Sequence, residues 1–383
     1  MPAPVRREDR AVVAPLAFLH GAVHANLLAV PVFLNLAWRL EFRADDVTVG
    51  LLAATLFACF GISSVPFGLL ADLHPPAQLL RLSVVGIGIS LAAMALSPTL
   101  PWLAVSLAAL GLSSGIYHPT ALSAISRSVE AQGRGMGWHG MGGSLGIALG
   151  PAFVGVALAT GWPWRTTAAL LILPALLGLA WLSAGRLPTS RASPSEARGA
   201  SLRSLASLGF GRTLLVYFFA GVAYQGSLTF LPKFIGPGLF ALALGLGAIG
   251  QVIAGTLADR RRPDRILASL SFAGAGLLIL LAAVGPSIAF LGGALAFGFV
   301  LFSLEALQNT LVTRAAPRAW RGLAFGFAFL SVFGFGSVGA VLAGWLIDQG
   351  QTPLLFGVLG AALAASGLAA YGVGVSGPKA GPD

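Results

Sequence analysis

The sequence predicts an all-α membrane protein: twelve transmembrane helices in two pseudo-symmetric six-helix bundles. Three observations predict it. Of 383 residues, 56% are hydrophobic and 9% are charged, against about 25% charged in an average soluble domain, and mean hydropathy is +0.86. Apolar runs long enough to cross a hydrocarbon core of ~30 Å recur twelve times. The chain also repeats itself at an offset of 187 residues. A water-soluble fold needs a charged surface that these residues cannot supply, and the same numbers exclude disorder.

Charges, prolines and glycines delimit the runs. The first six lie at 11–38, 46–71, 79–97, 101–127, 133–160 and 163–184. The other six lie at 212–234, 236–258, 264–284, 286–314, 319–346 and 352–375. The first run is too long for a cleaved signal peptide, and no small-residue cleavage site follows it. Between the sixth and seventh runs, 185–211 is rich in Ser, Pro, Arg and Gly and reads as a linker. The expected units are therefore 1–184, the linker 185–211, and 212–383.

Twelve crossings put alternate loops on opposite sides. One side holds Arg39, Arg43, Arg165 and Lys233; the other holds the remaining nineteen of 23 Lys and Arg. Cytoplasmic loops retain basic residues, so both termini are expected in the cytoplasm and the protein in the cell membrane. The net charge of +10 follows from this topology, and no nucleic-acid partner is expected. The single cysteine, Cys59, lies in an apolar run and rules out a disulfide within the chain.

The repeat is specific. Gly68-Leu-Leu-Ala-Asp72 follows the second run and Gly255-Thr-Leu-Ala-Asp259 follows the eighth. The same offset pairs Arg127 with Arg314, Arg134 with Arg321, and Gly135 with Gly322. A repeat of six spans implies a pseudo-two-fold axis along the membrane normal, with a substrate site near mid-membrane between the halves.

Polar residues inside the spans are expensive and default to functional candidates. Span one carries His20, His24 and Asn26; span four carries Tyr117 and His118; span seven carries Tyr224 and Gln225; span ten carries Glu305, Gln308 and Asn309. These are the first helices of the four three-helix units, and their side chains must face water, substrate or each other. Glu305 is the one acid of thirteen expected deep in a span, and the repeat makes it the counterpart of His118. The two are expected to face each other across a cavity, with Glu305 as the proton-coupling carboxylate and His118 contacting substrate or relaying a proton. Gln308 and Asn309 share the Glu305 face.

His20 and His24 stand at i and i+4 on one helix face, a spacing that suits a metal pair. No third ligand is evident nearby in sequence, so no metal site is expected. His139, five residues past Arg134, reads as interfacial. Gly245-x-Gly-x-x-Gly250 and Gly334-x-Gly-x-x-Gly339 match a dinucleotide pattern, but both lie inside spans with no preceding strand and no acid about 20 residues on. No cofactor is expected. The 51 glycines suit close helix contact in lipid.

Twelve spans in two sixes, with Gly-x-Leu-Ala-Asp after spans two and eight, resemble the major facilitator superfamily along essentially the whole chain. Gly115-Ile-Tyr117-His118-Pro119, Arg127, Arg134-Gly135, Gly142-Gly143 and Leu149-Gly150-Pro151 are similar to its fosmidomycin-resistance-like branch. The resemblance implies that Asp72, Asp259, Arg260, Arg127 and Arg314 brace one transport state at the cytoplasmic side. The first copy departs from the family pattern, since Leu73 and His74 follow Asp72 where an arginine is usual. Asp72 retains the option of acting at a helix N-terminus, where a carboxylate is favoured. Gly142, Gly146 and Gly150, ending in Gly150-Pro151-x-x-x-Gly155, resemble the family's antiporter motif and imply export; helix contact is the alternative reading of the same glycines.

The expected function is secondary active transport by alternating access: proton-coupled export of a small organic molecule or drug by a monomer in the lipid bilayer. The alternatives are proton-coupled uptake, an integral membrane enzyme, and a non-transporting scaffold.

Overall fold

The structure, a computed structural model, describes residues 7–129, 132–184, 205–371 and 373. Side chains at 7, 126, 127, 132–134, 137, 259, 260 and 318 are outside the description, as are the termini and most of the linker. Every described element is helical; no strand occurs among the described residues.

Eleven helices are long and apolar enough to cross a membrane. One of them, Leu208–Arg260, has 53 residues, or ~80 Å at 1.5 Å per residue, far more than one crossing. It breaks at Gly236, whose φ of 73° and ψ of 165° are non-helical. Glycine tolerates that positive φ, and Pro237 next to it suits the first turn of a new helix. Splitting the long helix there gives twelve crossings.

In chain order the helices are α1 (Glu8–Glu41), α2 (Asp46–Leu73), α3 (Pro76–Ala95), α4 (Leu100–Ser128), α5 (Gln132–Ala159) and α6 (Trp164–Ala184). The second half comprises α7 (208–235), α8 (237–260), α9 (Pro263–Val284), α10 (Ile288–Ala315), α11 (Arg321–Asp348) and α12 (Thr352–Tyr371). Each expected run is helical in the described residues, with ends within a few residues of expectation. Starts follow local chemistry. Asp45, Thr99, Ser207 and Ser287 accept the amide of the residue three further on, satisfying donors the helix itself cannot. Pro76 and Pro263 occupy first-turn positions.

Small residues set the helix contacts. Gly142, Gly146 and Gly150 of α5 lie against the carbonyls of Ala17, Gly21 and Ala25 of α1, where an added methyl would collide with backbone. The two glycine and alanine ladders share a four-residue step, so α1 and α5 mesh over two turns. The same device joins the halves. Gly50, Gly61 and Gly68 of α2 meet Ala340, Gly334 and Gly322 of α11, again with no room for a Cβ.

Among the described residues, two helices contain π-turns. α1 contains a π-turn at Leu34–Trp38, where Asn35 Nδ2 donates to Pro31 O at 2.8 Å and to Thr229 O of α7 at 2.6 Å. α11 contains a π-turn at Leu330–Gly334 and a 3-10 turn at Phe335–Ser337. Such turns concentrate at functional positions; these lie beside the inter-half contact.

By alternation of twelve crossings, α1 starts and α12 ends on the side holding the α6–α7 connection, here the linker side. Both sides of the α2–α11 contact are closed. On the linker side, the Asp72 carboxylate accepts from Gly322 N at 3.3 Å and Leu323 N at 3.1 Å. On the opposite side, Asp348 accepts from Asp46 N and Val47 N at 3.1 and 2.8 Å. Lys233 of α7 also pairs with Asp46, and Arg39 lies 3.4 Å from it.

Candidate functional site

A cavity lies between the halves, lined by His24 of α1, Tyr217 and Tyr224 of α7, Glu305, Gln308 and Asn309 of α10, and Phe329 and Phe333 of α11, with aliphatic side chains completing the wall. The centre of a water molecule can move within about 40 Å³ of it. One water needs about 10–15 Å³ on that measure, so the cavity as it stands has room for a few waters, not a drug-sized molecule.

Glu305 is the acid on the cavity wall. Gln251 Nε2 of α8 donates to its Oε2 at 2.6 Å, and Ser144 Oγ of α5 donates to Gln251 Oε1 at 2.6 Å. The chain Ser144–Gln251–Glu305 therefore runs from one half of the protein into the other. Tyr217 OH donates to Asn309 Oδ1 at 3.0 Å, fixing Asn309 one turn beyond Glu305.

The expected site residues divide. His24, Tyr224, Glu305, Gln308 and Asn309 line the cavity. His20, Asn26, Tyr117, His118 and Gln225 are buried but not on its wall. Asn26 and Gln225 have no hydrogen-bond partner among the described residues for either side-chain polar atom. Tyr117 OH donates to Leu16 O and lies 3.2 Å from His139 Nε2, so it ties α4 to α1 and α5.

Several placements correct the expectation. His118 is not among the residues that line the cavity with Glu305. It lies among aromatic rings, 5.4 Å from Phe329 and 5.5 Å from Phe60 by ring centroids, and His24 is the histidine on the cavity wall. The reason is that α4 packs its polar face onto α1. His139 is buried rather than interfacial: its ring stacks on His20 at 4.0 Å with an 11° tilt. The His20–His24 pair does have a third histidine beside it. His20, His24 and His118 bring one ligand nitrogen each to within 4.8 Å of one another, a juxtaposition that only the α1–α4 contact creates.

Of the expected gating residues, Asp72 reaches the N-terminus of α11 as described. Arg314 Nη2 donates to Ala258 O at 3.0 Å, which joins α10 to α8 within one half. The side chains of Arg127, Asp259 and Arg260 lie outside the described residues. Tyr217, Gln251 and Ser144 were not singled out from the sequence. Tyr217 had a signal, seven residues before Tyr224 on the same face. Gln251 had one too, as an amide in the middle of the eighth span.

With this architecture in view, the sequence profile of the Major Facilitator Superfamily matches residues 16–340. The chain belongs to the major facilitator superfamily. It is 25% identical over 379 residues to the uncharacterized MFS-type transporter YfnC of Bacillus subtilis (strain 168), covering 90% of each chain. Its fold is similar to that of the peptide transporter POT in complex with sulfate, with a TM-score of 0.73 and 16% identity over 94% of this chain and 93% of that one. It is also similar to the E. coli fucose:proton symporter FucP, with a TM-score of 0.71 and 14% identity over 97% and 100% of the two chains. As a superfamily member the chain is a multi-pass membrane transporter of small-molecule type. These glycine contacts account for Gly142, Gly146 and Gly150 as a helix interface, whichever direction transport takes.

Proposed function

We propose that this chain is a proton-coupled secondary transporter that exports a small organic molecule by alternating access, with Glu305 as the group that carries the proton. The Ser144–Gln251–Glu305 chain carries the reading. An ionised Glu305 is a strong acceptor for Gln251, and Gln251 in turn holds α5 of the other half. Protonation weakens the Gln251 bond and loosens one of the ties between halves. Proton binding and domain movement are thereby linked through a differential contact, which is what coupling requires.

His24, Tyr224, Gln308 and Asn309 supply donors and acceptors to a substrate once the halves separate, while Phe329 and Phe333 supply apolar surface. Asp72 and Asp348 latch the two sides of the α2–α11 contact, and opening releases one latch at a time. The fucose:proton symporter of similar fold supports the reading of proton coupling. Export rests on the resemblance of the α5 Gly-Pro segment to the antiporter motif, and placement in the fosmidomycin-resistance-like branch rests on the α4–α5 motifs. The excess of basic residues on the linker side supports cytoplasmic termini and a plasma-membrane location.

The test is direct. Compounds identified by comparing the sensitivity of cells with and without the protein are added to proteoliposomes that hold a pH-sensitive dye. The reading requires each substrate to drive proton movement opposite to its own. Proton movement in the same direction assigns uptake, and transport without proton movement removes the coupling.

A further inference from the structure

We propose that His20, His24 and His118 form a binding site for one divalent transition-metal ion of the class that prefers imidazole nitrogen, such as Zn²⁺, Co²⁺ or Ni²⁺, at the edge of the central cavity. This goes beyond the transport reading and does not depend on Glu305.

The three rings form a nearly equilateral triangle, with centroids 4.6 Å apart for His20–His24, 5.0 Å for His20–His118 and 5.0 Å for His24–His118. Three imidazoles bound tetrahedrally at Zn–N distances of about 2.0–2.1 Å hold their ring centroids about 5 Å apart. The ring positions already suit a shared ion. The ligand nitrogens lie within 4.8 Å of one another, and rotation of rings in place brings them toward the ~3.3 Å separation of a tetrahedral set.

The unmet nitrogens point the same way. His20 Nε2, both ring nitrogens of His24 and His118 Nε2 have no hydrogen-bond partner among the described residues, although each residue is at most 7% exposed. Buried polar atoms normally find partners, and orphans are costly. His20 is further oriented from behind: its Nδ1 lies 2.8 Å from His139 O. An N–H donated to that carbonyl leaves the lone pair on Nε2, the arrangement that metal-bound histidines use to fix their tautomer. Gly143 makes this placement possible, because a Cβ there would run into the His20 ring.

The donor set selects the ion. Three nitrogens without a carboxylate do not suit Mg²⁺ or Ca²⁺, which take oxygen ligands. The set contains no thiolate, and borderline metals that accept imidazole remain. His24 belongs both to the triad and to the cavity wall, so a fourth position facing the cavity is available to water or to a donor atom of a cavity ligand.

The test uses the purified full chain in detergent with Co²⁺ as a spectroscopic probe and Zn²⁺ as competitor. The expected result is one Co²⁺ per chain, displaced by Zn²⁺, with an X-ray absorption shell of three nitrogens at about 2.0–2.1 Å for bound Zn²⁺. His20→Ala, His24→Ala and His118→Ala, each checked for a monodisperse gel-filtration peak, should each weaken binding by roughly 100-fold or more. His74→Ala, an exposed loop variant, and Glu305→Gln should bind as the parent does, which separates this site from proton coupling. Absence of stoichiometric Co²⁺ binding, an oxygen-only shell, or unchanged binding in His118→Ala would overturn the proposal. The wild-type absorption shell keeps the test decisive even if a histidine variant fails to fold.

Discussion

Asp72 and Asp348 are reciprocal: each lies at the end of one helix and closes the start of the other. Asp72, at the end of α2, accepts from the first amides of α11. Asp348, the last residue of α11, accepts from the first amides of α2. Asp45 takes the next α2 amide, Thr48 N, at 2.8 Å. Carboxylates at helix N-termini meet unpaired donors and the positive end of the helix dipole, so each aspartate is a charge-assisted latch on one side of the membrane.

Asp72→Asn should favour opening on the linker side, and Asp348→Asn on the opposite side. Hydrogen bonds to charged groups contribute about 1.5–3 kcal/mol, so each change should shift the conformational equilibrium by roughly one to two orders of magnitude. Pairs of spin labels on the two sides measure this. Widening on the same side in both variants would contradict the latch assignment.

The glycine ladders give a stability prediction. Gly146→Ala puts a methyl into the Gly21 backbone and should cost about 1–3 kcal/mol through overpacking. Gly357→Ala in α12, where an added Cβ meets nothing within 4 Å, should be neutral or slightly stabilising. Thermal melting in detergent separates the two.

The spans and their ends were legible in the sequence because burial in lipid demands long apolar runs, and breaks fall at charges, Pro and Gly. Asp72 was legible as a helix-terminus acid, but its partner α11 is 250 residues away and depends on the halves docking. Gln251 is visible in the sequence as a mid-span amide, but its span lies outside the expected cavity set; only the fold shows its amide bridging Ser144 and Glu305. The histidine cluster needed the α1–α4 contact. Spacing reveals the His20–His24 pair, since both share one helix face, but cannot reveal a ring from another helix.

Gln251 should matter more than its position outside the cavity wall suggests. Gln251→Leu keeps similar bulk but removes both the donor to Glu305 and the acceptor for Ser144. Transport driven by a pH gradient should fall about tenfold or more, the effect of losing a contact worth about 1.4 kcal/mol or more. Ser144→Ala cuts the same tie between the halves and should fall comparably. Unchanged transport in Ser144→Ala would mean that this tie does not link proton binding to domain movement.

Asp45 predicts a pH effect outside the membrane core. The Thr48 hydroxyl, and then the Thr48 amide, hold its carboxyl below the usual value of 3.8. A depressed folded-state value means the cap stabilises above the unfolded value and that this contribution disappears as pH falls through the folded one. The exposed cap contributes about 0.5–2 kcal/mol. Asp45→Ala should therefore lower the melting temperature at pH 6, and the difference from the parent should shrink as pH falls below about 3.8. A difference that stays constant with pH would contradict an ionised cap.

The central claim is that Glu305 carries the coupled proton. Its most direct test compares Glu305→Gln with the parent in proteoliposomes loaded with an identified substrate, reading both substrate exchange at equal pH and accumulation driven by a pH gradient. The neutral, isosteric amide keeps the cavity shape and still meets Gln251. The account predicts that exchange survives while gradient-driven accumulation is lost. A variant that still concentrates substrate against its gradient would contradict it.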